Sequence, residues 1–198
     1  MTDKYVVTIA REFGSMGRPI ARELSEILGI EYYDRDIVDA AAKKLNLPVS
    51  VVSDEEETAR TFFGMKHPLG LGTSEMQDKI FSTQQQIMNT MAGKGSCIIV
   101  GRCSDYLFRN NKNTLNIFIY ASYDKKLENC VNLLNMTKEN AKRSIEEVDR
   151  ARLRYHLHYT GYAPSDYKYK DLMVDSGVLG VDGTARLLAD YVKAKFGV

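Results

Sequence analysis

The stretch from Tyr5 to Leu28 constrains the fold most, because it passes from a strand pattern to a helix pattern through a glycine-containing turn. It opens with YVVTIA, an apolar run typical of a buried strand. Gly14 and Gly17 follow, and a helical pattern begins near Pro19. Glycines and a helix N-terminus direct backbone N–H groups into one hollow, which favours the binding of phosphate or another anion. A plain turn of an α/β protein explains the two glycines equally well.

The loop of residues 10–19 departs from the nucleotide-binding pattern GxxxxGK[ST] at its end. In that pattern the lysine reaches the outer phosphates and the Ser or Thr hydroxyl holds magnesium. Here Gly17 is followed by Arg18 and Pro19. The planar guanidinium of Arg18 is able to bind phosphate, whereas proline cannot hold a metal ion. The sequence therefore predicts an anion bound against the N–H groups of residues 13–18, in a loop without the usual lysine.

The composition excludes several classes of protein. The chain has 198 residues, of which 44% are hydrophobic and 27% charged, which suits one soluble α/β domain over residues 1–198. A net charge of +1 argues against a general affinity for nucleic acid or for anionic membranes. No apolar run reaches the length of a membrane span, and the three cysteines show no CxxC spacing. We therefore expect a cytoplasmic protein with reduced cysteines, and the sequence sets no expectation for metal ligands or for an oligomeric state.

Strand patterns alternate with helix patterns along the rest of the chain, which predicts a parallel sheet covered by helices on both faces. The predicted strands are residues 5–10, 30–33, 96–100, 114–120 and 172–174. The predicted helices are residues 34–45, 73–92, 104–108, 123–134, 137–159 and 182–196, with a further helical segment within 49–60 and a loop over 61–72. The predicted N-caps of these helices are Asp34, Ser53 or Asp54, and Thr137. The residues of the last helix that are expected to lie in the core are Leu187, Leu188, Tyr191 and Val192.

Ligands of a parallel sheet bind beyond the carboxyl ends of its strands. Asp34 follows the second predicted strand, where its carboxylate would orient a substrate hydroxyl or a magnesium-bound water. A role as helix N-cap explains Asp34 too. Arg102 follows the third predicted strand and is expected to face the same cleft. A structural ion pair with Asp105 is the alternative for Arg102.

A stripe of arginines on the helix of residues 137–159 is the next candidate. Arg143, Arg150 and Arg154 are separated by seven and four residues, so they lie along one side of the helix, while Arg152 points to the opposite side. Such a stripe, leading into a Gly/Pro loop, would close over phosphates. Exposed ion pairs with nearby glutamates explain the same pattern.

Five stretches of the chain together resemble a known family. They are VTIAREFGSMGRPIA, LGIEYYDRDIV, IIVGRCSDYLF with the following NIFIYAS, DRARLRYHLHYTG, and YKDLMVDSGVLG. The chain resembles the bacterial cytidylate kinase-like proteins, a divergent branch of the nucleoside monophosphate kinases. This implies a three-layer P-loop kinase fold with a five-stranded parallel sheet, a helical monophosphate-binding side over residues 34–92 and a lid over residues 137–169. The missing loop lysine and hydroxyl are departures from true cytidylate kinases.

The resemblance also implies an activity. The first interpretation is ATP-dependent phosphotransfer to a nucleoside monophosphate, with small nucleotides as partners. Mg²⁺ is the expected cofactor, although the loop has no Ser or Thr at the position that holds the ion in a P-loop. The alternatives are a catalytically silent nucleotide-binding or regulatory protein and a kinase of another small acceptor. The residues assigned to donor phosphates are Arg11, Gly14, Ser15, Met16, Gly17 and Arg18; those assigned to the acceptor are Asp34, Arg102 and Asp105; and those assigned to the transferred group are Arg18, Arg150 and Arg154.

Overall fold

The chain begins with the central strand of its sheet. In the computed structural model, which describes residues 4–49, 51–52 and 74–198, β1 (Val6–Arg11) lies between two parallel partners. These are β3 (Cys97–Val100) on one side and β4 (Thr114–Tyr120) on the other. β2 (Glu31–Tyr33) extends the sheet beyond β3, and β5 (Leu172–Asp175) extends it beyond β4. The strand order is therefore β2-β3-β1-β4-β5, and the predicted five-stranded parallel sheet is confirmed.

Seven α-helices surround this sheet within the described residues. They are α1 (Gly17–Leu28), α2 (Arg35–Leu45), α3 (Ser74–Ala92), α4 (Ser104–Leu107), α5 (Tyr123–Asn132), α6 (Lys138–Thr160) and α7 (Ser176–Phe196). Residues 51 and 52 also have helical backbone. The predicted cap at Ser53 or Asp54 and the predicted loop over residues 61–72 lie outside the described residues.

The two faces of the sheet carry different helices, because alternate strand residues point to opposite sides. Val7 and Ile9 of β1 pack with α1 and α7 in the larger apolar cluster. Val6, one residue earlier, packs on the other face with Ile37 of α2 and Met88 of α3. Helices on both faces of a parallel sheet leave its carboxyl edge open, so this edge is the place for a ligand.

The last helix differs from the prediction in its start and in its buried face. α7 begins at Ser176 rather than at residue 182, and Gly180 interrupts it with φ 66° and ψ −165°. Leu188 is fully buried, whereas Leu187 and Tyr191 are 44% and 39% exposed. The prediction that these two lie inside is wrong, because each lies one residue before a core position of α7 and so about 100° around the helix.

Two predicted N-caps have different outcomes. The Thr137 hydroxyl accepts a hydrogen bond of 3.3 Å from the Asn140 amide, which confirms it as the cap of α6. Asp34 occupies the position before α2, but its side chain makes no capping bond there. Its carboxylate is instead paired with Arg18. No helix in the described ranges is long and apolar enough to cross a membrane.

Candidate phosphate-binding site

The loop between β1 and α1 bends at two residues with left-handed backbone. Gly14 has φ 77° and Met16 has φ 58°, and α1 begins directly afterwards at Gly17. Alternating left-handed and right-handed residues turn successive N–H groups toward one side, as in other anion-binding loops. For a methionine this conformation is uncommon, because its Cβ crowds the backbone, so neighbouring contacts must hold it.

Hydrogen bonds to loop carbonyls supply that support. Asn129 of α5 donates from Nδ2 to the Gly14 carbonyl at 2.9 Å. The Ser176 hydroxyl, at the start of α7, donates to the Ser15 carbonyl at 2.7 Å. The Ser15 hydroxyl donates to the Glu12 carbonyl at 2.9 Å, which closes the loop on itself. The loop is thus held by α5, which follows β4, by the start of α7, which follows β5, and by its own Ser15.

The first amide of the predicted cradle is already occupied. The Phe13 N–H donates to Asp149 Oδ1 of α6 at 2.6 Å. The prediction that an anion binds against all the N–H groups of residues 13–18 is therefore wrong at Phe13. An anion bound in this loop has to use the groups from Gly14 onward.

A buried lysine joins α6 to the same loop. The Lys126 ammonium lies 3.1 Å from Glu12 Oε2 and 3.1 Å from Asp149 Oδ2. Burial lowers the pKa of Lys126, but Asp149 and Glu12 outweigh that effect, so its pKa lies above the ordinary value. Sequence reasoning missed this lysine, although it connects three elements next to the loop.

Arg18 and Asp34, which the sequence assigned to different ligands, contact each other. Arg18 Nε lies 2.6 Å from Asp34 Oδ2, and the Asp34 side chain is only 6% exposed. The Tyr32 hydroxyl donates to the same oxygen at 3.3 Å. Burial, with the Asp34 charge as the next cause, raises the pKa of Tyr32 to about 12. The group lies at the carboxyl end of β2, and the ligand roles of Arg18 and Asp34 stay predictions.

Three arginines line one pocket at the carboxyl ends of β1 and β3. Arg11, Arg102 and Arg152 surround it together with Asp105 and His156, and we call it the arginine pocket. Arg11 is 7% exposed and Arg102 is 2% exposed. The pocket measures about 30 Å³, which is room for one or two water-sized groups. Guanidinium groups that line one small pocket favour a phosphate or another anion there, because they match its charge and donate hydrogen bonds to its oxygens.

The arginine that α6 contributes to this pocket is Arg152, which the sequence analysis had set apart from its stripe. The Arg152 side chain is 11% exposed, and its Nη1 donates to the Arg11 carbonyl at 3.2 Å. Arg143, Arg150 and Arg154 have exposed side chains. Arg152 lies on the buried side of α6, since Val148 and His156, four residues before and after it, are both buried. The roles assigned to Arg150 and Arg154 stay predictions.

Arg102 is held in the pocket by unusual backbone. Gly101, Arg102 and Cys103 have φ values of 73°, 57° and 53°, so three consecutive residues are left-handed. For the two non-glycine residues this conformation costs about 1–2 kcal/mol each. Strain of this kind is characteristic of sites where the surrounding structure fixes a functional side chain. No sequence signal marks it, because Arg and Cys rarely adopt this conformation.

Asp105, on the wall of the arginine pocket, accepts hydrogen bonds from three side chains. His156 Nε2 lies 3.1 Å from its Oδ1, and the Tyr162 hydroxyl lies 3.2 Å from its Oδ2. Lys170, whose side chain is 1% exposed, forms an ion pair with the same Oδ2. Burial raises the pKa of Asp105, but the bonds and charges of His156 and Lys170 hold it well below its usual range. These contacts tie the end of α6 and the segment before β5 to α4, while acceptor binding by Asp105 stays a prediction.

A second and larger pocket also borders the phosphate loop. Met16 of the loop, Asn129 and Asn132 of α5, and Ser176 and Gly180 of α7 line it. Its volume is about 360 Å³, within the range of small-molecule sites. We call it the α5–α7 pocket. Residues of the loop and of its flanking strand therefore border two pockets, the small arginine pocket and the larger α5–α7 pocket.

The side chains near the loop do not fit a protein-held magnesium ion. No group of three or more His, Cys, Asp or Glu residues with ligand geometry occurs in residues 4–49, 51–52 and 74–198. The hydroxyl of Ser15 is committed to the Glu12 carbonyl, and Glu12 itself is paired with Lys126. Positions 17–19 carry no hydroxyl.

Comparison with known proteins gives one family and one fold. A model of the cytidylate kinase-like family matches residues 6–178. An uncharacterized protein from Eubacterium ventriosum ATCC 27560 has a solved structure with a TM-score of 0.73 and 23% identity, covering 96% of this chain and 99% of the other. Shikimate kinase from Bacteroides thetaiotaomicron has a TM-score of 0.58 and 9% identity, with 96% and 99% covered. Shikimate kinase from Acinetobacter baumannii in complex with shikimate has a TM-score of 0.52 and 11% identity, with 96% and 92% covered. No curated protein matches the chain. At these identities the solved structures establish the fold alone, and the fold is that of P-loop kinases.

Proposed function

The chain belongs to the cytidylate kinase-like family, and we propose that it is an ATP-dependent phosphotransferase whose acceptor is a nucleoside monophosphate. We further propose that it works in the cytoplasm, where its three free cysteines stay reduced.

The observation that carries this proposal is the arginine pocket. Arg11, Arg102 and Arg152 meet within a few residues of the phosphate loop, at the carboxyl edge of the sheet. Phosphoryl transfer depends on the positioning of the two substrates and on positive charge around the transferred group, because the transition state spreads negative charge over its oxygens. A transferred group lying between the loop and this pocket meets that requirement.

The two pockets suggest how the substrates divide the site. The nucleoside of the donor fits the α5–α7 pocket, and its phosphates run along the N–H groups from Gly14 to Arg18. The acceptor phosphate lies toward Arg102 and Asp105, with Asp34 at the adjoining end of β2. Arg150 and Arg154, exposed on α6, would approach the transferred group only if α6 moves. At about 30 Å³ the arginine pocket admits no nucleotide as it stands, so binding requires it to widen.

Magnesium remains the expected cofactor, but the Ser15 hydroxyl and the Glu12 carboxylate already have protein partners, so we assign neither to the ion. An ion that participates is better bound through the phosphates of the nucleotide. We assign no residue of the chain to it.

A kinase of another small acceptor is favoured by one observation. Asp34 Oδ1 is buried without a hydrogen-bond partner in the described part of the chain. A buried carboxylate oxygen of this kind is suited to accept the proton of a hydroxyl group. Shikimate kinases have the same fold, so shikimate is a suitable non-nucleotide acceptor to try.

A coupled assay of ADP release from ATP, across a panel of nucleoside monophosphates with shikimate as a separate arm, tests the proposal. We expect turnover with at least one nucleoside monophosphate. Arg152→Met should reduce kcat/KM by about tenfold or more, because it removes a desolvated charge-assisted contact. Arg143→Met, an exposed change on the same helix, is the matched control and should stay within about twofold. ATP binding without turnover on any acceptor would favour the silent nucleotide-binding alternative.

A further inference from the structure

In a P-loop a lysine near the end of the loop contacts the outer phosphates. Position 17 or position 18 of this chain corresponds to that lysine, and neither places a cation directly at the phosphates. Gly17 is the first residue of α1 and has no side chain. Arg18, the second residue, directs its Nε to Asp34 at 2.6 Å, toward the end of β2. A cation for the outer phosphates therefore has to come from another part of the chain.

The glycine at position 17 is required by a neighbouring side chain. Its backbone is helical, so conformation alone does not demand glycine there. A Cβ at this position would lie 2.7 Å from the Cβ and 2.9 Å from the Cγ of Arg11. Contacts this short do not occur between real side chains, and the Arg11 Cβ is fixed to the backbone, so it cannot rotate away as the end of a flexible chain can. The stem of Arg11 thus occupies the space that a residue-17 side chain needs.

From its contact with Gly17, the side chain of Arg11 extends to the arginine pocket. It ends β1, it is 7% exposed, and it lines the pocket with Arg102 and Arg152. Its backbone carbonyl accepts a hydrogen bond from Arg152, which fixes the end of the strand against α6. Arg11 is therefore the arginine that borders both the phosphate loop and the pocket.

We propose that Arg11 replaces the lysine of the P-loop, reaching the outer phosphates of the donor nucleotide from the end of β1 instead of from the start of α1. This rests on the proposed function, since it presumes that ATP is the donor. Glycine at position 17 and arginine at position 11 are then linked: the cation comes from the end of β1, and position 17, where the lysine would be, has no side chain. A guanidinium here binds two phosphate oxygens at once, where a lysine offers a point charge.

The first test compares ATP with ADP affinity by calorimetry, because a contact to the outermost phosphate changes their ratio and a purely structural role does not. Arg11→Gln keeps most of the stem and removes the charge. We expect it to weaken ATP by about tenfold or more while ADP changes less. Arg22→Gln, an exposed change on α1 at a residue paired with Glu26, should leave the ratio as in wild type.

The second test exchanges the two positions. Gly17→Lys alone should lower the melting temperature, because its Cβ overlaps the Arg11 stem. In the double variant Arg11→Gly/Gly17→Lys the overlap is gone, and we expect ATP preference to exceed that of Arg11→Gly. An unchanged ATP-to-ADP ratio in Arg11→Gln, or no gain in the double variant, overturns the inference. Wild-type protein that binds neither nucleotide would overturn the proposed function as well, so the two failures are distinguishable.

Discussion

Replacing Asp105 by asparagine should destabilise the protein far more than a single polar substitution usually does. The carboxylate is buried and compensates Lys170, whose side chain is 1% exposed, and it also binds His156 and Tyr162. Asparagine has nearly the same volume, so the change creates no cavity and isolates the loss of charge. Breaking a buried ion pair by removing one partner costs about 3–5 kcal/mol, because the other charge stays buried without compensation. For a chain of 198 residues this corresponds to a fall in Tm of about 6–20 °C.

Urea unfolding followed by circular dichroism measures this loss. Asp182→Asn is the matched control, since Asp182 pairs with Arg186 on the surface with side-chain exposures of 61% and 71%. That variant should lose less than about 1 kcal/mol. Removing both charges in Asp105→Leu/Lys170→Met should recover part of the stability, because no uncompensated ammonium remains. A loss below about 1 kcal/mol in Asp105→Asn would refute the reasoning that Asp105 compensates a buried charge.

Three further predictions concern pH, turnover and motion. The folded-state pKa of Asp105 lies below its ordinary value of 3.8, so its stabilisation is present above about pH 4 and is lost progressively as the pH falls toward the folded-state pKa. The difference in unfolding free energy between wild type and Asp105→Asn should therefore narrow as the pH falls below about 4, and a constant difference would contradict this. Arg18→Ala should lower turnover more than ATP affinity, because Arg18 is paired with Asp34, which is proposed to lie beside the acceptor at the end of β2. Arg18→Lys should rescue turnover only in part, and full activity in Arg18→Ala would rule out a role of Arg18 beside the acceptor. Residues 137–169 should gain protection from hydrogen exchange on addition of ATP with a monophosphate, and equal protection in both states would count against a closing lid.

The sheet could be predicted from the sequence because its strands are buried on both faces and therefore consist mostly of apolar residues. The run TLNIFIY at β4 is largely apolar, and its predicted bounds are those of the structure. The start of α7 was missed because Gly177 and Gly180 read as a turn. In the structure the Asp175 carboxylate caps the helix by accepting from the Gly177 amide at 2.8 Å.

The side chains of the site were harder to predict, for physical reasons. Helical spacing gives the angles between arginines of α6 but not which of them faces the protein. The signal lay in Val148 and His156, which are four residues before and after Arg152, share its side of the helix and are buried. Lys170 and Asp105 are 65 residues apart in the chain, and no local pattern joins them. The left-handed backbone at Arg102 and Cys103 depends on surrounding packing, which a single sequence does not display.

The central place of β1 has a consequence for how the protein is made. β1 is synthesised before its partner strands, since Tyr5, just before β1, bonds to Ser96, 91 residues later, and Thr8 of β1 bonds to Asn116, 108 residues later. At about 5–20 residues per second a ribosome needs about 5–20 seconds to deliver that last partner. During this time an apolar strand with both edges unpaired is available to other nascent chains. Slower growth or a holding chaperone should therefore raise the yield of folded protein more than changes to its surface would.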